Sequence, residues 1–439
     1  MRFFKSLSLL LFILFYTTSH SQSYIGYTVD NYSGIHGVVY NPSNIVGSNF
    51  KTDVNIASFS GFIGSDYFGI NFGDMINGNN FDFSEDTERF LSDSNNFFLN
   101  ADVLGPSFMF NLNEKSSIGL VSRGRAFFNL NNINGELFEA IEDEFESEND
   151  ITFDSQNLIG TVHAWAEIGI AYGRILMDKQ QHILKGGVTL KYLQGAGALF
   201  ASSPGFMGQY TRSTETLTTQ GELNYGTSED FDSDDLDLGN LTAGFGMDLG
   251  FTYQWHPSRE NDSIPIYKDN YKLKVGMSIT DIGSINYKGA EITSYNVNNT
   301  VDTSTYDELE EFLDNNYNNT KTIQDTKIQL PTALHLLVDY RIAKKWLVSA
   351  QANLSLVKKD NELANSIINT VTIAPRLETK WFSFYTPLSF RQYGDFAFGG
   401  GFRLGPLSIG SGSIFSNLLS DSSKTTDVFL GLKVPIYRK

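Results

Sequence analysis

The chain has 439 residues, no cysteine, and 32 Lys+Arg against 50 Asp+Glu, a formal net charge of -18. This excludes a disulfide framework, a thiolate metal centre, a cysteine nucleophile and a lipidated cysteine, and it argues against sequence-independent nucleic-acid binding, which needs clustered cations. With 35 Phe, 21 Tyr and 39 Gly beside only 10 Pro, the composition suits alternating β-strands.

Residues 1–21 read as a secretory signal peptide. Arg2 and Lys5 precede the apolar run Leu9–Tyr16, and Ser19 and Ser21 place small residues before a cleavage point. The run is shorter than the ~20 apolar residues of a spanning helix. Without Arg2 and Lys5 the remaining chain carries -20. No later apolar run reaches that length, so the remainder is expected either to be soluble after export or to span a membrane as the strands of an outer-membrane barrel.

Each strand of such a barrel alternates lipid-facing apolar with lumen-facing polar side chains. Ala243, Phe245, Met247, Leu249, Phe251 and Tyr253 share one parity, and Gly244, Gly246, Asp248, Gly250, Thr252 and Gln254 the other. Leu190 and Tyr192 oppose Lys185, Thr189 and Lys191. Leu336, Val338 and Tyr340 oppose His335, Asp339 and Arg341, and Leu430, Leu432 and Val434 oppose Phe429, Gly431 and Lys433. Short turns are expected at 113–116, 178–181, 343–345, near 380 and at 405–406. Long polar loops are expected over 64–102, 130–156, 201–240, 288–327 and 357–369. Short turns belong on the periplasmic side and long loops outside. The strands fall near 51–63, 103–112, 117–129, 157–177, 182–200, 241–256, 271–287, 328–342, 345–356, 370–380, 382–391, 396–404, 407–415 and 426–437. Fourteen is the even number that closes an antiparallel barrel. The strand-like stretch 216–226 is assigned to a hairpin above the membrane. Trp255, Trp346 and Trp381 lie beside short turns, where an aromatic girdle belongs.

Several phrases resemble outer-membrane barrels of the FadL/PorV type, in particular a Bacteroidota family of barrels of unknown function. They are Gly187-Val188-Thr189-Leu190-Lys191-Tyr192-Leu193, Gly244-Phe245-Gly246-Met247-Asp248-Leu249-Gly250 and Ile279-Thr280-Asp281-Ile282-Gly283. Asn41-Pro42-Ser43 is similar to the Asn-Pro-Ala signature of the plug, with Ser in place of Ala. The resemblance spans most of 24–437. It implies a fourteen-stranded antiparallel transmembrane barrel with an N-terminal hatch, so residues 22–50 are expected to form the plug and 51–439 the outer-membrane barrel. It leaves the task open, because FadL-type members carry hydrophobic small molecules whereas PorV-type members are partner proteins of a secretion system.

By parity the inward bases are Arg123, Arg125, Lys185, Lys191, Lys272, Lys274, Arg341, Arg376, Lys380, Arg403 and Lys433, against the acids Glu167, Asp248, Asp339, Glu378 and Asp427. The expected wall excess is therefore six positive charges. Ordinary lumen filling by cross-barrel ion pairs competes with a basic conduit for amphipathic anions. Asp281 would face lipid under strict alternation, so a bulge is expected there. His163 and His335 point inward as filler. No Gly-x-Ser-x-Gly, HExxH or P-loop accompanies them, and no enzyme, cofactor or metal is expected. Short amphipathic helices are expected near 136–146 and 306–313 inside acidic loops. The spaced aspartates Asp230–Asp237 lack EF-hand order and read as solvated charge. The expected function is passive passage of a small hydrophobic or amphipathic molecule. The alternative is a non-transporting docking subunit whose envelope partner binds the acidic loops. Lipid or lipopolysaccharide would surround the barrel, and nucleic acid would not bind.

Overall fold

The computed structural model describes residues 24–73, 87–228, 241–260, 265–268, 270–304, 306–358, 360–393 and 396–438. Residues 1–21 and Asp230–Asp237 lie outside them, so the leader segment and that aspartate run are not described.

Fourteen antiparallel strands form one closed wall. They are β1 (Phe50–Ser65), β2 (Asn95–Leu104, resumed as Ser107–Asn111), β3 (Ser116–Ile133), β4 (Ile151–Lys179) and β5 (His182–Thr211). There follow β6 (Thr242–Trp255), β7 (Leu273–Asn296), β8 (Asn318–Gln329, resumed as Ala333–Arg341), β9 (Trp346–Ser355) and β10 (Thr370–Glu378). The last are β11 (Phe382–Tyr385 and Leu388–Arg391), β12 (Phe396–Phe398 and Gly400–Leu404), β13 (Leu407–Ser411) and β14 (Thr425–Tyr437). Neighbours in sequence pair throughout, and β1 closes the wall by pairing with β14, Val54 opposite Val434, as well as with β2, Gly61 opposite Ala101. Among the described residues no helix is long and apolar enough to cross a membrane.

The alternation read in the sequence is the alternation of the wall. Phe245 is 73% exposed and Leu190 61%, whereas Asp248 and Lys191 on the opposite parity are buried. A continuous outward apolar surface of this kind is what a hydrocarbon environment requires. Trp346 and Trp381 project at the short-turn end.

At the other end the strands run on where loops were expected. β2 begins at Asn95 rather than near 103, β4 and β5 reach 29 and 30 residues, and β7 continues to Asn296. The reason is partner supply. Thr216–Thr227 folds back on β5 and also pairs with the upper half of β7, so the expected hairpin becomes part of a sheet standing above the barrel. Two helices cover it: α2 (Gly135–Glu142) and α3 (Leu309–Asn316), the latter three residues further along than expected. α1 (Ile35–Tyr40) belongs to the segment 24–49, which is folded inside the wall.

Candidate functional site: an apolar chamber above a charged waist

At the long-loop end, α2 and α3 cover an apolar chamber. Asn134 caps α2 by accepting hydrogen bonds from the amides of Glu136 (3.0 Å) and Leu137 (3.2 Å). Leu137, Phe138 and Ile141 then face inward, and Glu136 faces water. Arg89 holds the polar side of the helix through Glu139 at 2.7 Å and Glu142 at 3.7 Å. Phe312 and Leu313 of α3 close the other side. The cavity measures about 160 Å³ and is bounded by Phe128, Leu130, Ile141, Phe145, Leu199, Leu223 and their neighbours, with Tyr225 and Glu310 among the few polar residues at its edge. Phe138 and Phe145 are packed against this cluster rather than displayed on the surface.

Its floor was missed in the sequence. Of the stretch 357–369, read as a polar loop, residues 360–369 turn into the barrel mouth. Asn365 Nδ2 donates to Asn129 Oδ1 and to the carbonyl of Thr161, both at 3.0 Å. Ile368 packs with Phe62, Phe98, Phe127, Trp165 and Leu193 into an aromatic layer. The signal available was Ile367 and Ile368 amid asparagines, too short a pattern to place.

Below lies a waist of charge. Arg123 pairs with Asp102 and with Glu167 (3.2 Å), Arg125 with Asp281 (2.7 Å), and Lys191 with Asp248 (2.8 Å) and Asp281 (2.7 Å). Asp281 occupies the left-handed region (φ 58°), and the β6–β7 register slips beside it, so the expected bulge turns the carboxylate inward. Its amide donates to Asp248 Oδ1 at 2.7 Å. Arg125 also lies 5.0 Å from the ring centres of Phe127 and Trp165. His163 Nε2 meets Tyr287 Oη at 3.1 Å, and His335 bridges Thr280 (2.9 Å) and Asn353 (2.8 Å), so both are tied into the lumen by hydrogen bonds.

The remaining candidates meet the inserted segment. Arg376 links Asp339 (2.8 Å) and Glu378 (2.9 Å), and Glu378 accepts from Asn31 Nδ2 at 2.8 Å. Arg403 pairs with Asp30 at 3.2 Å, and Lys433 with Asp53 at 3.2 Å. Arg341 sits at the rim, donating to the carbonyls of Tyr271 and Lys344. Asn41 Nδ2 donates to the carbonyls of Phe251 and Met277, both at 3.2 Å, while its Oδ1 accepts from Ser43 N and Oγ. Pro42 starts the short helical turn they cap. A Cβ on Gly187 would lie 2.4 Å from Pro42, and one on Gly250 would lie 2.1 Å from Asn41 Oδ1. The glycine-rich strands are thus the seat of the Asn-Pro-Ser turn.

The expected positive wall is corrected. Lys272 and Lys380 do not point inward but lie 4.7 Å over the rings of Tyr340 and Tyr437 at the rim. Asp53, Asp102 and Asp281 add buried acids that parity passed over. Strand breaks and bulges shift parity, which is why a strict count failed. The charges of the waist pair with one another, and a cavity of about 90 Å³ adjoins Arg123, Arg125 and Asp281.

Beside the waist, the wall carries an outward recess. β2 breaks at Gly105-Pro106, and a Cβ on Gly124 of β3 would meet nothing within 4 Å. The resulting cavity of about 240 Å³ joins inward Arg123 and Glu167 to outward Val103, Ile168 and Tyr192.

A model of a family of unknown function, DUF5723, matches residues 42–412. No curated protein matches the chain. Among solved structures, the toluene transporter TbuX of Ralstonia pickettii is 10% identical, with 92% of this chain and 95% of that one covered and a TM-score of 0.43. The toluene transporter TodX of P. putida is 9% identical over 93% and 95%, TM-score 0.46. A FadL homologue of Pseudomonas aeruginosa is 9% identical over 93% and 94%, TM-score 0.42.

Proposed function

The chain belongs to the DUF5723 family, and from that premise we propose that it is an outer-membrane barrel that takes up a small hydrophobic or amphipathic molecule. The observation that carries this reading is the apolar chamber under α2 and α3. A cavity of about 160 Å³ with almost no polar lining is a site for an apolar ligand rather than for ions or sugars. The outward apolar surface, the signal-like residues 1–21 and the short-turn and long-loop asymmetry support a place in the outer membrane. The segment 24–49 then serves as a hatch. The recess at Gly124 supports a sideways route into the bilayer, because the charged waist and the hatch obstruct a straight one. The packing of Phe138 and Phe145 into the chamber supports this reading, while the obstructed lumen is what the docking-subunit alternative expects.

The test is equilibrium binding of the fluorescent apolar probe N-phenyl-1-naphthylamine to purified barrel. Saturable binding weakened at least tenfold in Leu137→Asp and Phe312→Asp is expected. Equal binding by wild type and both variants would remove the chamber from the mechanism. A stoichiometric envelope protein co-purifying from native membranes would move the assignment to the docking subunit.

A further inference from the structure

Near the short-turn end, between the inserted segment and strands β5 to β7, lies a second, polar cavity of about 80 Å³. A single water needs only ~10–15 Å³ of such space. Lys185 of β5 lines it. Its side chain is buried, with the residue 4% exposed, and among the described residues its ammonium has neither a hydrogen-bond acceptor nor an ion partner. Among the described residues every other inward lysine is paired: Lys191 with three carboxylates, Lys274 with Asp339 at 3.8 Å, and Lys433 with Asp53.

The charges around the cavity make the vacancy specific. Lys274 and Arg341 also line it. Among the described residues its two carboxylates are committed elsewhere, Asp30 to Arg403 and to the Tyr32 amide (2.7 Å), and Glu378 to Arg376 and Asn31. Gly47, at φ 65°, lets the loop of the inserted segment pass directly over the ammonium; a Cβ there would stand 3.1 Å from Lys185 Nζ. Asn44, Ser48, Asn49 and Gln254 supply neutral polar groups around the same space. A buried ammonium without a counter-charge is costly, and a bound anion removes that cost.

We propose that this cavity is a binding site for an oxyanion, a phosphate or carboxylate group, held by Lys185 against the inserted segment. The ammonium gives charge-assisted hydrogen bonds, and Lys274 and Arg341 add positive potential. The site stands on observations separate from the apolar chamber, so either can fail alone.

Delipidated full-length protein in nonionic detergent would be titrated calorimetrically with inorganic phosphate and with acetate, at ionic strength held constant with chloride. Saturable binding of either anion, weakened tenfold or more in Lys185→Gln but retained in Lys185→Arg, is the expected result. Mass spectrometry of the protein before delipidation separates the sources: a phospholipid whose removal creates the phosphate site points to a headgroup, and a site vacant from the start points to a free ion. Unchanged binding in Lys185→Gln would overturn the proposal. So would wild type that binds neither anion and carries no lipid. Because the wild-type titration needs no variant, a folding defect in Lys185→Gln leaves the proposal open to refutation.

Discussion

Asp281 illustrates how much a single residue constrains the wall. A carboxylate facing hydrocarbon is expensive, so the chain inserts a left-handed residue and carries Asp281 to Arg125 and Lys191 instead. The waist built this way buries every one of its charges. Asp102→Ala leaves Arg123 buried with Glu167 alone. Breaking a buried pair in this manner costs about 3–5 kcal/mol, so denaturant unfolding in detergent should show a loss of that order. His36, in the inserted segment, gives a pH prediction. Burial, aided by Lys433, pushes it from 6.5 down to about 3, while Nε2 sits 2.9 Å from Ser58 Oγ. The unfolded chain takes up this proton below about pH 6.5 and the folded chain does not. Stability should therefore fall by about 1.4 kcal/mol per unit as pH drops from there toward 3. His36→Gln should flatten that slope, which acid titration of the unfolding free energy would measure.

The inserted segment and the glycine-rich strands behave as one element. Gly187, Gly250 and Gly173 bring backbone against Pro42, Asn41 and Ile45, so side chains there would displace the segment. Gly187→Val should loosen it without breaking the wall, since β5 keeps its pairing with β4 and β6. Planar-bilayer recordings should show ion conductance at least tenfold above wild type. Silence in both would mean that the aromatic layer around Ile368, not the segment, seals the barrel. The helices α2 and α3 form a second element, and its acidic exterior reflects ordinary amphipathic sorting.

For the whole molecule, the outward surface predicts that urea or carbonate washing will leave the protein in the outer-membrane fraction. Release into the soluble fraction would contradict the proposed location. The long extension of β4, β5 and β7 beyond the wall gives the chamber a rigid frame, so its volume should persist without ligand. Equal amide-exchange protection of Ile151–Leu158 with and without probe would confirm that.

What the sequence determined by itself was the local grammar. Two-residue alternation from Ala243 to Gln254 and short turns such as Gly405-Pro406 are each written in neighbouring residues, and so the fourteen strands and the bulge at Asp281 were legible, whereas Asn41-Pro42-Ser43 was marked only by its resemblance to a plug signature. Tertiary structure decided everything that depends on a distant partner. Asp102 finds Arg123, Asn365 crosses the mouth to Asn129, Thr216–Thr227 joins β7, and Lys185 is left with no partner among the described residues. Periodicity reports which way a side chain faces, but charge compensation and cavity walls are sums over elements far apart in the chain. Only closure of the barrel brings those elements together.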